Sequence, residues 1–246
     1  MWRDDLSSEI ENTEFEITGR LSVIAQIVTG LKHCLSCDVI LQDIKPENVF
    51  LRDLCSIAPL GIHRDLTLVP LIGDFGSANL HRDCGIFEGS RPYMSPEQWS
   101  SSPITEKSTV FSVGIMLYEL ITLGFHPIGE HGGEWHRGEN PGFNRWQNNK
   151  KWRQWMESSC KVADRGIDDD LKSILERCLQ FEPTNRPTLD QLCVLVKEAI
   201  AARSDSAIAQ VELLMQEWQK NSSKDRFMIM MEEISQVERQ LANIRH

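Results

Sequence analysis

The string Leu41-Gln42-Asp43-Ile44-Lys45-Pro46-Glu47-Asn48, with Asp74-Phe75-Gly76 downstream, constrains this chain more than any other feature. It puts a carboxylate, an ammonium and an amide into one short polar loop between the apolar pieces Val39-Ile40-Leu41 and Val49-Phe50-Leu51. Two short β segments bracketing a loop fit this pattern. The three groups suit phosphoryl transfer. A carboxylate accepts the hydroxyl proton, an ammonium neutralises charge on the moving group, and an amide oxygen holds a metal. Asp74, on a separate turn, supplies a second metal-binding carboxylate, and Gly76 gives that turn backbone freedom.

The surrounding pattern is mainly helical. Leu21, Ile24, Val28, Leu31 and Leu35 follow helical spacing and predict an amphipathic helix over 20–35, after a polar, acidic stretch (1–17) that reads as an exposed helix or loop. Residues 52–70, with Pro59, Gly61 and Pro70, read as an inserted loop or hairpin. Ser108 to Leu123 predicts a buried core helix; the apolar window Val110 to Phe125 is broken by Glu119 and is too short to span a membrane. The Gly-rich stretch 126–150 predicts a second inserted loop. A helix over 169–180 has Asp168, Asp169 and Asp170 near its start and Arg177 near its end, the order a helix dipole favours, and Pro183 follows it. Thr188 with Gln191 reads as a capping box that opens a helix to about 203. Beyond it, Ile208, Val211, Met215 and Trp218, then Met230, Ile234, Val237, Leu241 and Ile244, recur in steps of three and four. A helical hairpin or coiled-coil arm over 204–246 follows, either folded back on its own globule or dimerising.

On these residues the chain resembles the protein kinase family. Asp43, Lys45 and Asn48 stand where the family has its catalytic base, phosphate-contacting Lys and metal-binding Asn, and Asp74-Phe75-Gly76 matches its metal-binding triplet. Gly89-Ser90-Arg91-Pro92-Tyr93-Met94-Ser95-Pro96-Glu97 is similar to the end of an activation segment, with Ser95-Pro96-Glu97 in place of Ala-Pro-Glu. The resemblance implies that Glu97 pairs with Arg186 of Asn185-Arg186-Pro187, that Phe50 lines the nucleotide site, and that Ser112-Val113-Gly114 lies in the family's central helix. Lys45, and Ser90 near the catalytic Asp, imply serine or threonine rather than tyrosine as acceptor. The implied fold is a kinase C-lobe over 1–203, mainly α with a few short β strands, followed by the arm.

The departures are specific. Leu41-Gln42 replaces the family's His-Arg, which removes the cation that receives a phosphorylated activation-loop residue, while Leu41 can still pack against Phe75. Thr109 stands in place of the Asp that anchors the catalytic loop from the central helix. No Gly-rich phosphate loop, V-A-I-K-like Lys or Glu-bearing helix precedes residue 20, so the expectation is a C-lobe alone that binds nucleotide weakly.

Composition narrows the alternatives. With 41% hydrophobic residues the chain can bury a core, and its net charge of −10 disfavours nucleic acid and anionic membranes as partners. Seven scattered Cys and an acidic opening without a signal-peptide pattern predict reduced thiols and a cytoplasmic location. Cys34-x-x-Cys37 has no second pair at zinc spacing. His126, His131 and His136 among Glu130, Glu134 and Glu139 read as solvated loop residues rather than a metal loop. Trp135, Trp146, Trp152 and Trp155 read as anchors of a loop and helix on the core rather than a nucleic-acid stacking platform. The expected activity is transfer of the γ-phosphoryl group of ATP, with Mg2+, to a protein hydroxyl. The alternative is an interaction module, a pseudokinase that uses the arm and the Trp-rich loop to bind partners. A small-molecule phosphotransferase is disfavoured by the Ser-Pro-Glu segment and its Arg.

Overall fold

A computed structural model of the chain describes residues 2–54, 63–80, 89–100, 102–129, 136–137, 149–213 and 216. Strand β1 (Trp2–Asp5) is followed by helix α1 (Ile17–Ser36), β2 (Val39–Leu41), β3 (Val49–Asp53), β4 (Leu68–Ile72) and β5 (Ala78–Leu80). Then come α2 (Pro96–Trp99), α3 (Glu106–Ile121), α4 (Asn149–Glu157), α5 (Asp169–Cys178) and α6 (Leu189–Arg203), with helix continuing over 205–213. The described chain is mostly helical with a few short strands.

The strands form two small antiparallel sheets rather than one. β1, β3 and β4 make a three-stranded sheet in the order β1-β3-β4, and β2 pairs with β5. The two apolar pieces that bracket the Asp43 loop therefore belong to different sheets. In the first, Val49 lies opposite Ile72 and Asp53 opposite Leu68, so the 52–70 stretch is the closed end of a hairpin; its residues 55–62 lie outside the described ones.

The N-terminal stretch departs from the exposed helix or loop that its polarity predicts. Trp2 pairs with Arg52 and Asp5 with Phe50, and Leu6, Ile10 and Phe15 are buried. Three isolated apolar residues in an acidic segment carry no period of their own; packing against a partner strand and α1 decides their state. Arg20, one turn into α1, is 3% exposed and donates to the main-chain carbonyls of Ile10, Asn12, Phe15 and Leu120, which fastens that stretch to the core.

Helix α3 is the centre of the core. Every residue from Ser108 to Leu120 is buried, the pattern of a helix surrounded by protein. Gly114 permits the approach of α5, since a Cβ there would stand 2.7 Å from Cys178 Cβ. Trp155 of α4 is fully buried against Phe111 and His126 and donates its indole N–H to the Lys161 carbonyl, an anchor for that helix. The side chain of Trp152, and residues 135 and 146, lie outside the described ones. α1 packs against α6, whose capping box at Thr188 and Gln191 is formed.

Glu97 and Arg186 join the segment around α2 to the α5–α6 connection. Arg186 Nη1 and Nη2 donate to the two Glu97 carboxylate oxygens at 2.6 and 2.9 Å, and Ser108 donates to the same carboxylate at 2.6 Å. The rest of the guanidinium serves the carbonyls of Gln180, Phe181 and Lys107, and the group lies over the Phe111 ring. Burial pushes the Glu97 carboxyl up, but Arg186 and Ser108 outweigh it and hold it below its ordinary 4.5. With the folded value below the unfolded one, the stabilisation is complete above about pH 4.5 and is lost as pH falls through the folded value. Arg186→Met leaves a buried unpaired carboxylate and is expected to cost about 3–5 kcal/mol in urea unfolding at pH 7. The deficit shrinks as pH falls through the folded value of Glu97, where the parent loses the ion pair.

Candidate active site

The turn after β2 and the residues around Asn48 build the Asp43 cluster. Lys45 Nζ donates to Asp43 Oδ2 and to Ser90 Oγ, both at 2.7 Å. The Ser90 main-chain N–H donates to Asp43 Oδ1 at 2.6 Å, and Asn48 Nδ2 donates to the Asp43 carbonyl at 2.9 Å and to Oδ2 at 3.3 Å. Asp43, Lys45, Asn48 and Ser90 are thus brought into one hydrogen-bonded group. Burial raises the Asp43 carboxyl, but hydrogen bonds from Lys45 and Ser90 and the Lys45 charge outweigh it and hold it below its ordinary 3.8. At neutral pH Asp43 is a carboxylate.

Two contacts place the neighbouring segments. The Gly73 N–H donates to the Asn48 carbonyl at 2.8 Å, so the end of β4 delivers Asp74 beside the loop. On the other side Gln98 Nε2 donates to the Gln42 carbonyl at 3.1 Å. Gly89, at φ +123°, passes so close that a Cβ would stand 2.8 Å from that same oxygen, a position only glycine fills without strain.

Among the described residues no hydrogen bond joins the Asp74 side chain to the cluster. Asp74 is exposed and accepts the Gly76 N–H on Oδ1 at 3.2 Å. The left-handed residue of this turn is Asp74 itself, at φ +53°, and not Gly76, contrary to the sequence expectation. Asp tolerates that conformation because its short side chain bonds the local backbone. Phe75 is 51% exposed and Phe50 45%, whereas Leu41 is buried in the β2–β5 pair, where Leu41 lies opposite Ala78.

The replaced positions have weak polar contacts. Thr109 Oγ1 reaches the Leu41 carbonyl at 3.5 Å. Gln42 is 4% exposed, and neither polar atom of its side-chain amide has a hydrogen-bond partner among the described residues.

A second polar group under the loop went unread in the sequence. Arg137 contacts Glu47, next to Asn48, and its Nη1 lies 3.9 Å from Glu119 Oε2, which accepts the Tyr93 hydroxyl at 2.7 Å. The one available signal was Glu119, a lone carboxylate in an apolar helix. Burial pushes that carboxyl up to about 8 against the pull of Arg137 and Tyr93. His126 also differs from the solvated residue expected. It is fully buried, its Nε2 is 2.9 Å from the Pro92 carbonyl, and burial pushes it down to about 3. His136 Nε2 lies 2.7 Å from the Leu123 carbonyl, and residue 131 lies outside the described ones.

With its folded value above its unfolded 4.5, Glu119 contributes stability that is complete below about pH 4.5 and is lost as pH rises through about 8. Glu119→Gln is therefore expected to flatten the fall in urea midpoint between about pH 5 and 9. An unchanged slope contradicts this assignment.

The chain is 27% identical over 191 residues to a calcium and calcium/calmodulin-dependent serine/threonine-protein kinase of Lotus japonicus, covering 74% of this chain and 32% of that protein. It is 28% identical over 176 residues to human serine/threonine-protein kinase Nek5, covering 70% of this chain and 21% of the relative. The receptor protein-tyrosine kinase CEPR1 of Arabidopsis thaliana is 28% identical over 213 residues, covering 81% of this chain and 20% of the relative. The chain thus spans a third or less of the length of these curated relatives, which include kinases of both acceptor types. The family model for the protein kinase domain matches residues 2–195, the stretch that holds the Asp43 cluster, Asp74 and the Glu97–Arg186 pair, and on that match the chain belongs to the protein kinase family.

Proposed function

We propose that the Asp43 cluster is the chemical centre of a serine/threonine protein kinase, moving the γ-phosphoryl group of ATP to a serine or threonine hydroxyl of a protein. The observation that carries this reading is the Lys45 ammonium, 2.7 Å from both Asp43 Oδ2 and Ser90 Oγ. It sets a cation against an ionised base, where charge develops in a phosphoryl transfer. Asp43 takes the proton of the acceptor hydroxyl as that oxygen attacks. Lys45 offers its ammonium to the charge on the transferred group, and Ser90 keeps Asp43 and Lys45 in register.

The donor set fits a magnesium-bound nucleotide. Asn48 spends its amide N–H groups on Asp43, which leaves its Oδ1 as an oxygen donor, and the exposed Asp74 carboxylate adds a second. Hard oxygen donors of this kind suit Mg2+. ATP with Mg2+ supplies the phosphoryl group and screens its charge. Phe50 offers an exposed apolar face to the nucleotide.

Residues 1–203 form the catalytic region in this reading, and 204–246 an arm for a second copy or a partner helix; residues 217–246 lie outside the described ones. No helix among the described residues is long and apolar enough to cross a membrane. A reducing, cytoplasmic setting belongs to the same reading.

A second reading, an interaction module without catalysis, is favoured by the unpaired Gln42 amide and the long Thr109 contact, since both leave the loop's replaced anchors weak. Kinetics separate the two. In the protein purified from its own cells, Asp43→Asn is expected to lower kcat by about 10²- to 10⁴-fold, with KM for ATP and melting temperature little changed. The rate should have no acid limb near neutrality, because the Asp43 carboxyl is held below its ordinary 3.8. An Asp43→Asn protein as active as the parent contradicts the kinase reading and leaves the interaction module.

A further inference from the structure

On the side chains of Glu16, His63 and Asp65 the structure gathers a set of donors that the phosphoryl-transfer chemistry does not use. Glu16 caps the start of α1, and His63 and Asp65 lie in the connection between β3 and β4. One ligand atom from each, two carboxylate oxygens and an imidazole nitrogen, lies within 4.8 Å of the other two. Glu16 and His63 are exposed and Asp65 is half-buried, so the face they share is open to water.

Two carboxylates this close repel each other. Among the described side chains no Lys or Arg lies within ion-pair distance of either, and Arg20, whose charge reaches Asp65, gives its N–H groups to main-chain carbonyls instead. The neighbouring backbone is fixed. Asp65 Oδ2 accepts the Glu16 N–H at 3.0 Å, and the His63 N–H donates to Gln210 Oε1 at 3.0 Å.

We propose that Glu16, His63 and Asp65 bind one zinc-class divalent transition-metal ion, with water completing its coordination. Two carboxylates and a neutral imidazole balance the +2 charge, and the imidazole selects against Mg2+ and Ca2+. Ligand atoms bonded to one tetrahedral Zn2+ at about 2.0–2.1 Å lie about 3.4 Å apart, so the donors need to close by little more than an ångström through side-chain rotation. The ion fastens the β3–β4 connection to the start of α1, and through the His63–Gln210 hydrogen bond it couples both to the 205–213 helix. This site stands independently of the catalytic reading.

The test is metal uptake by the full, chelator-stripped chain, with Zn2+ followed by equilibrium dialysis and Co2+ by its visible spectrum. His63→Ala and Glu16→Gln alter exposed residues, so both variants are expected to keep the parent's circular dichroism and its metal-free melting temperature. One equivalent of Zn2+ should raise the melting temperature of the parent, and millimolar Mg2+ should not displace it. The Co2+ spectrum should show ligand-field bands without the charge-transfer band of a thiolate, since the seven Cys are the competing ligands. Each substitution should weaken uptake by at least about tenfold. The proposal is overturned by absence of uptake, by a thiolate band, or by uptake that survives either substitution unchanged.

Discussion

The Arg186 guanidinium is the contact on which the position of the 89–100 segment depends. Buried and fully engaged, it takes both oxygens of Glu97 and the carbonyls of Gln180, Phe181 and Lys107. No hydrophobic residue offers so many directed bonds, so the pair specifies where the 89–100 stretch lies more than it adds net stability. That stretch in turn carries Ser90, whose N–H and hydroxyl meet Asp43 and Lys45. The ion pair and the Asp43 cluster are the two ends of one short segment.

The Asp43 loop achieves its shape with Leu41-Gln42 and Thr109 at the positions where the resembled family carries its anchoring residues. Its backbone is held from both sides. Gln98 and the close pass of Gly89 fix the Gln42 carbonyl, and the Gly73 N–H fixes the Asn48 carbonyl. Thr109, with one hydroxyl in place of a carboxylate, adds only a 3.5 Å contact. The anchors act on the loop's main-chain carbonyls, and the buried Gln42 amide, without a hydrogen-bond partner among the described residues, is left at a cost of about 1–3 kcal/mol.

Several features were legible in the sequence because residue type and local spacing carry them. The loop residues Asp43, Lys45 and Asn48, the apolar run that becomes α3, and the Thr188 capping box are of this kind. Others depend on partners far along the chain. Leu6, Ile10 and Phe15 become buried only because β1 finds β3, and nothing in an acidic N-terminal stretch announces that pairing. His126 reads as solvated in a Gly-rich stretch until the Pro92 carbonyl and Trp155 close over it. Arg137 is invisible for the same reason, since its partner Glu47 is distant in sequence. The Asp74 turn shows the limit of residue type, because the left-handed conformation falls on the Asp while the glycine beside it has an ordinary φ.

On the proposed reading, the group around Asp43 transfers phosphate to an aliphatic hydroxyl. The most direct measurement is mass spectrometry of a protein substrate mixture incubated with the native protein and ATP carrying heavy oxygen in its γ-phosphoryl group. Heavy phosphate is expected on serine or threonine with the parent protein and none above background with Asp43→Asn. Heavy phosphate confined to tyrosine, or found equally with both proteins, would contradict it.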